Sequence, residues 1–203
     1  MQRNDGGALD QERENKEIRR LASIVSANGG DDALALCAAG DAVAFACCEY
    51  ETGVALLDRG LSVNPNLALG WRCRGWVSVL LGQHQSAIDQ LALALRLSPL
   101  DPLNFMTERG MAAALLHLER YEEAALWAAK ALAHKPGEAG SLRIAAAAKA
   151  LAGRIDEARS ITADILELYP HMRLSDLGKT MGLGRKEDVD RMFRGLRLAD
   201  MPE

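Results

Sequence analysis

The sequence predicts an all-α fold built of two-helix repeats, and three observations carry that expectation. Four of the six prolines fall on a nearly constant interval: Pro65, Pro99, Pro136 and Pro170 are 34, 37 and 34 residues apart. A small residue stands twelve positions before each of them, at Gly53, Ala87, Ala124 and Ala158. A period near 34 that closes on proline marks a helix–turn–helix unit stacking on copies of itself. Hydrophobic residues make up 49% of the chain but aromatics only 4%. Helices pack closely through such small side chains, and the aromatic and β-branched runs that favour strands are scarce.

The elements follow in order. Residues 1–8 are expected to be disordered, and residues 9–30 to form an N-terminal capping helix. Ile18, Leu21, Ala22 and Val25 share one side of that helix, and Asn28, Gly29 and Gly30 end it. Four helix pairs are expected at residues 31–65, 66–99, 102–136 and 138–170. In the first, Gly40 keeps its register only if the turn around residues 47–51 is one residue longer than usual; Gly53, Leu57, Gly60 and Pro65 fit the second helix. The second pair has helices over 66–81 and 85–97, broken at Gly82, where a residue tolerant of left-handed backbone angles is needed. Extra residues around 101–104 account for the 37-residue step. The fourth pair keeps Leu142, Ala146, Gly153, Ala158 and Pro170, but Ile165 stands where a small residue is expected. Residues 171–203 are read as C-terminal capping helices: a short one at 172–177, a linker with Gly178, Gly182 and Gly184, and an amphipathic helix over 186–198 presenting Val189, Met192, Phe193 and Leu196.

In residues 68–101, Trp71, Gly75, Ala87, Ala94 and Pro99 take positions 4, 8, 20, 27 and 32. This resembles the tetratricopeptide repeat, whose short side chains let antiparallel helices approach to about 8–10 Å. The resemblance implies a right-handed α-α superhelix of about four repeats between two caps. It also implies that positions 2, 5, 9 and 12 of each first helix face a concave groove. Here the groove positions are Leu69, Arg72, Trp76 and Val79, then Met106, Arg109, Ala113 and Leu116, then Gly140, Arg143, Ala147 and Ala150. Position 5 is arginine three times running. A column of guanidinium groups beside Trp76, Met106 and Leu116 suits a protein or peptide ligand with carboxylate and apolar side chains. Solvation or pairing within the chain would also explain the arginines, and Trp76 either meets a ligand or packs on a neighbouring helix. The groove lacks the asparagines of the carboxylate clamp of co-chaperone tetratricopeptide domains, so binding of a chaperone C-terminus is not implied.

The sequence offers little for catalysis. Gly182-Leu183-Gly184-Arg185-Lys186 lacks phosphate-loop spacing, and no preceding strand supports it. His84, His117, His134 and His171 have no partner four residues away that would make a metal pair. His84 is read as a packing residue. Cys37, Cys47, Cys48 and Cys73 are read as buried or turn thiols. No cofactor or metal is expected, and the chain is read as not an enzyme. A net charge of −4 argues against nucleic-acid binding by charge alone. The N-terminal residues have no apolar run of signal-peptide type and no stretch is long enough to span a membrane, so a cytoplasmic protein is expected. Self-association through the last helix or the groove is the alternative to ligand binding.

Three longer phrases, GWVSVLLGQHQSAIDQLALALRLSPLDPLNF, AGRIDEARSITADILELYP and FRGLRLADMPE, are similar to the C-terminal tetratricopeptide region of proteobacterial adenylate/guanylate cyclase-like proteins, a region also found behind winged-helix regulators. The resemblance covers roughly residues 30–203. It implies a regulatory or scaffolding role and does not imply cyclase activity.

Overall fold

The computed structural model describes residues 5–28, 32–181 and 184–203. These residues form eleven α-helices and no strand. They are α1 (Asp5–Asn28), α2 (Ala33–Cys47), α3 (Tyr50–Val63), α4 (Ala68–Leu80), α5 (His84–Leu97), α6 (Asn104–His117), α7 (Tyr121–His134), α8 (Ala139–Leu151), α9 (Ile155–Leu168), α10 (Leu174–Met181) and α11 (Lys186–Leu198). The chain divides into two compact units, Met1–Val77 and Ser78–Glu203.

Helix ends follow local chemistry. The last helical residue of α3, α5, α7 and α9 stands two positions before Pro65, Pro99, Pro136 and Pro170, because proline cannot continue a helix. Asp32 caps α2 by accepting from Ala35 N at 2.9 Å, and Glu138 caps α8 by accepting from Gly140 N and Ser141 N. Turns between paired helices repeat one hydrogen-bond pattern. Gly82 N, Glu119 N and Gly153 N each donate to a carbonyl three residues back, at 3.1 Å, and the next residue donates five back at 2.9 Å. The left-handed residue is Gly82 (φ +75°) or Gly153 (φ +83°) in two of these turns, and Glu119 (φ +61°) in the third.

In the first unit, α1 packs on α2 and α2 on α3. Ala22, with the partly buried Ile18 and Val25, lies against Leu36, Val43 and Leu56. Leu21, expected on the same face, is 48% exposed, since it falls one position off the stripe that Ile18, Ala22 and Val25 define. α1 begins at Asp5, inside the segment read as disordered. Met1 to Asn4 lie outside the described residues, as do Gly29 and Gly30. The extra residue in this pair lengthens α2 rather than its turn. Cys48, in the left-handed region (φ +57°), closes α2 by donating to Val43 O, and Glu49 alone stands between Cys48 and α3. A Cβ on Gly40 would lie 2.8 Å from Gly53 O, so the two helix backbones nearly touch.

In the second unit, α5 to α9 pack successively, each on the next, and α6 also meets α8. Ala87, Ala112, Ala124, Ala131, Ala146 and Ala158 are all fully buried, so the small residues stand where helices approach. Ile165 is also fully buried. The short helix runs over Leu174–Met181, carrying Gly178 inside it; Gly182 and Leu183 lie outside the described residues. Among the described residues no helix is long and apolar enough to cross a membrane.

Candidate functional site

Of the twelve positions expected to line a groove, Leu69, Arg72 and Trp76 belong to the first unit and nine to the second, where Gly140 and Ala150 are buried. In the first, Arg72 is 7% exposed. Its charge acts on Asp41 of α2, whose carboxyl burial holds above its usual pKa against the opposing pull of a hydrogen bond with Cys73 and of Arg72. Arg72 is therefore placed to compensate a half-buried carboxylate within the chain. Leu69 and Trp76 are half-buried.

In the second unit the expected positions split into two halves. The apolar half, Ala113, Leu116 and Ala147, is buried, because α11 packs on α8 and touches α6. A Cβ on Gly195 would lie 2.8 Å from the Cα, Cβ and O of Ala147. Only glycine lets α11 cross there. Met192 and Leu196 are buried beside it; burying such side chains contributes about 1.5–3 kcal/mol each. Val79, at the end of α4, is also buried.

The N-terminal end of α11 is held by a polar cluster. Asp188 Oδ1 lies 3.2 Å from His84 Nε2 and 3.2 Å from Arg191 Nη1, while His117 Nδ1 is 3.6 Å from the same oxygen. The two imidazoles stand 5.1 Å apart, centroid to centroid. Arg191 Nη2 reaches Glu119 at 3.1 Å, and the Arg185 side chain lies against Gly82. Burial lowers the His84 pKa in spite of Asp188 and pushes that of His117 down to about 4. Both imidazoles are thus neutral at pH 7, and Arg191 supplies the countercharge to Asp188. Bonding is incomplete: His84 Nδ1, His117 Nδ1 and Arg191 Nε are buried without a hydrogen-bond partner among the described residues, whereas Asp188 Oδ2 stands 3.1 Å from His84 Nε2.

Sequence reading missed this cluster, because residues 84, 117 and 188 carry no spacing signal; their only hint was that His84 takes a position usually aromatic in such repeats. No three His, Cys, Asp or Glu side chains among the described residues are arranged to hold a metal ion. The cysteines are free, and burial pushes the Cys37 thiol up to about 11, an unreactive value.

The other half is basic and more open. Arg109 Nη1 pairs with Glu138 Oε1 at 2.7 Å. Burial raises the Glu138 pKa, but the bond from Ser141 and the Arg109 charge outweigh it and hold the carboxyl below its usual value. Arg143, one turn into α8, is half-buried. Burial lowers its pKa against the pull of Glu138, and Arg109 lowers it further. Arg143 makes no hydrogen bond or ion pair among the described residues. Met106 is half-buried on the same helix as Arg109.

The helix pairs and their small-residue contacts define the tetratricopeptide-repeat fold. The structure superposes on PilW, a widely conserved type IV pilus biogenesis factor, with a TM-score of 0.72 at 14% identity, covering 96% of this chain and 94% of that one. It also matches YrrB, a TPR protein with an unusual peptide-binding site (TM-score 0.60, 18% identity, 88% and 91% covered), and MamA from Desulfovibrio magneticus RS-1 (0.62, 17%, 84% and 94%). Neither a protein-family profile nor a curated protein matches the sequence.

Proposed function

We propose that this chain is a non-catalytic protein-interaction scaffold, and that the basic half of its α6–α8 face receives a partner segment bearing carboxylate and apolar side chains. The observation that carries this reading is Arg143, a half-buried guanidinium with no ion pair, near enough to Arg109 to feel its charge, with Met106 half-buried one turn before Arg109 on α6. A partly desolvated cation whose nearest carboxylate, Glu138, is already paired with Arg109 gains from a carboxylate delivered by a ligand. The peptide-binding site named for YrrB lends support by analogy of fold. A cytoplasmic setting in bacterial signalling or regulation accords with the resemblance to the region carried by cyclase-like and winged-helix proteins.

An array of acidic, apolar-flanked peptides tests the reading. Arg143→Glu and Arg109→Glu should each weaken the best binders by about tenfold or more. Unchanged binding by both variants would remove this half of the face from the account.

A second reading is self-association. It is favoured by the outer face of α7, where Leu126 is 66% exposed next to Trp127, over whose ring Lys130 Nζ sits at 4.0 Å. Sedimentation over a concentration range decides it, a strict monomer ruling it out.

A further inference from the structure

The packed helices α6 and α8 bring two guanidinium groups to one face, and arginines grouped in this way are common receptors for phosphate. Here one of the two is already engaged. We propose that Glu138 is a specificity determinant of this face, restricting it to a ligand that offers a single carboxylate and turning away the same segment when a phosphate replaces that acid. This rests on the reading of the basic half as a partner site, and deepens it by naming the charge that the site accepts.

The carboxylate of Glu138 is locked in place. It accepts from Arg109 Nη1 at 2.7 Å, from Gly140 N at 3.1 Å, and from Ser141 N and Ser141 Oγ at 2.7 Å each. The same group therefore caps α8 and ties it to α6. Arg109 reaches it by crossing Gly140, where a Cβ would lie 2.9 Å from Arg109 Cδ and Nη1 and 3.0 Å from Glu138 Oε1. A side chain at residue 140 would crowd both partners, and glycine keeps the pair closed.

Charge then selects the ligand. Arg109 and Glu138 neutralise each other, which leaves the positive charge of Arg143, close enough for both to act on it. One carboxylate matches that charge and fits the planar fork of one guanidinium. A phosphomonoester carries about −1.5 to −2 at pH 7, and beside a fixed carboxylate its excess charge is repelled. Drawing Arg109 away to meet a phosphate would leave the half-buried Glu138 without its cation.

The test uses the full chain and synthetic peptides in matched sets, identical except that one position between leucines carries glutamate, glutamine or phosphoserine. An array selects the best set, and anisotropy measures its members. The wild type should bind the glutamate peptide about tenfold or more tightly than the other two. Glu138→Gln keeps an oxygen for the Gly140 and Ser141 donors but removes the charge that holds Arg109. It should raise the ratio of phosphoserine to glutamate binding by about tenfold. A wild type that prefers phosphoserine would overturn the proposal, and that comparison stands even if the variant fails to fold. So would a folded Glu138→Gln protein with an unchanged ratio. In both cases a loss of glutamate binding in Arg143→Glu would leave the partner-site reading intact. Equal binding of glutamate and glutamine peptides by the wild type and by Arg143→Glu would remove the site and the proposal together.

Discussion

The two terminal helices share one sequence pattern and differ in how they are held. α1 is seated by an apolar stripe, Ile18, Ala22 and Val25 against Leu36, Val43 and Leu56, with polar contacts only at its edges: the Arg19–Glu49 pair at 2.6 Å, Arg59 Nη1 donating to Ser26 O at 2.7 Å and Cys47 Sγ to Asn15 O at 3.6 Å. α11 is seated by a backbone contact at Gly195, two buried side chains and a carboxylate buried between two imidazoles. Each is an amphipathic helix that closes its own unit. The difference teaches that amphipathic pattern fixes which side of a helix is buried, whereas the exceptions within that side, a glycine and an acid, fix what it is buried against.

Truncation should separate the two helices most sharply. Leu196→Ala removes a fully buried side chain and should cost about 2–4 kcal/mol, against about 1 kcal/mol for Ile18→Ala at a partly buried site. Denaturant midpoints of the two variants measure this, and equal losses would erase the distinction. Acidification should act on one helix only. His84 and His117 have folded pKa values below the ordinary 6.5, so the undocked state takes up protons first. The seat of α11 is therefore at full strength above pH 6.5 and weakens as pH falls toward about 4, where His117 titrates within the fold. Arg191, Arg185 and Glu119 also face the cluster, and the two cations add to the repulsion of a protonated imidazole. Amide exchange, corrected for intrinsic rates, should accelerate in α11 between pH 7 and pH 4.5 and stay level in α1, which contains no histidine. Arg19→Ala should be the mildest change, within about 0.5 kcal/mol, because exposed ion pairs contribute little.

The repeat was legible because its information is local. Proline at a fixed interval stops a helix wherever the rest of the chain goes, and alanine at the crossing points, as at Ala87, Ala124 and Ala158, is required by any close helix pair. Turn chemistry was legible at Gly82 and Gly153 and hidden at Glu119, which adopts the same left-handed angle without being glycine. The candidate site was legible only as a set of positions. Arginines 72, 109 and 143 share one register, yet one faces Asp41, one pairs with Glu138 and one has no ion pair. Which case holds depends on carboxylates contributed by other helices. The seat of α11 was hidden for the same reason, since a hydrophobic stripe names no partner, and Asp188 meets His84 from 104 residues away.

One spectrum tests the central claim that α11 lies across α8 at a glycine–alanine contact. In a nuclear Overhauser experiment on the wild-type protein at pH 7, the Ala147 methyl should give strong cross-peaks to the Gly195 α-protons. An Ala147 methyl with no cross-peak to any α11 proton would contradict it.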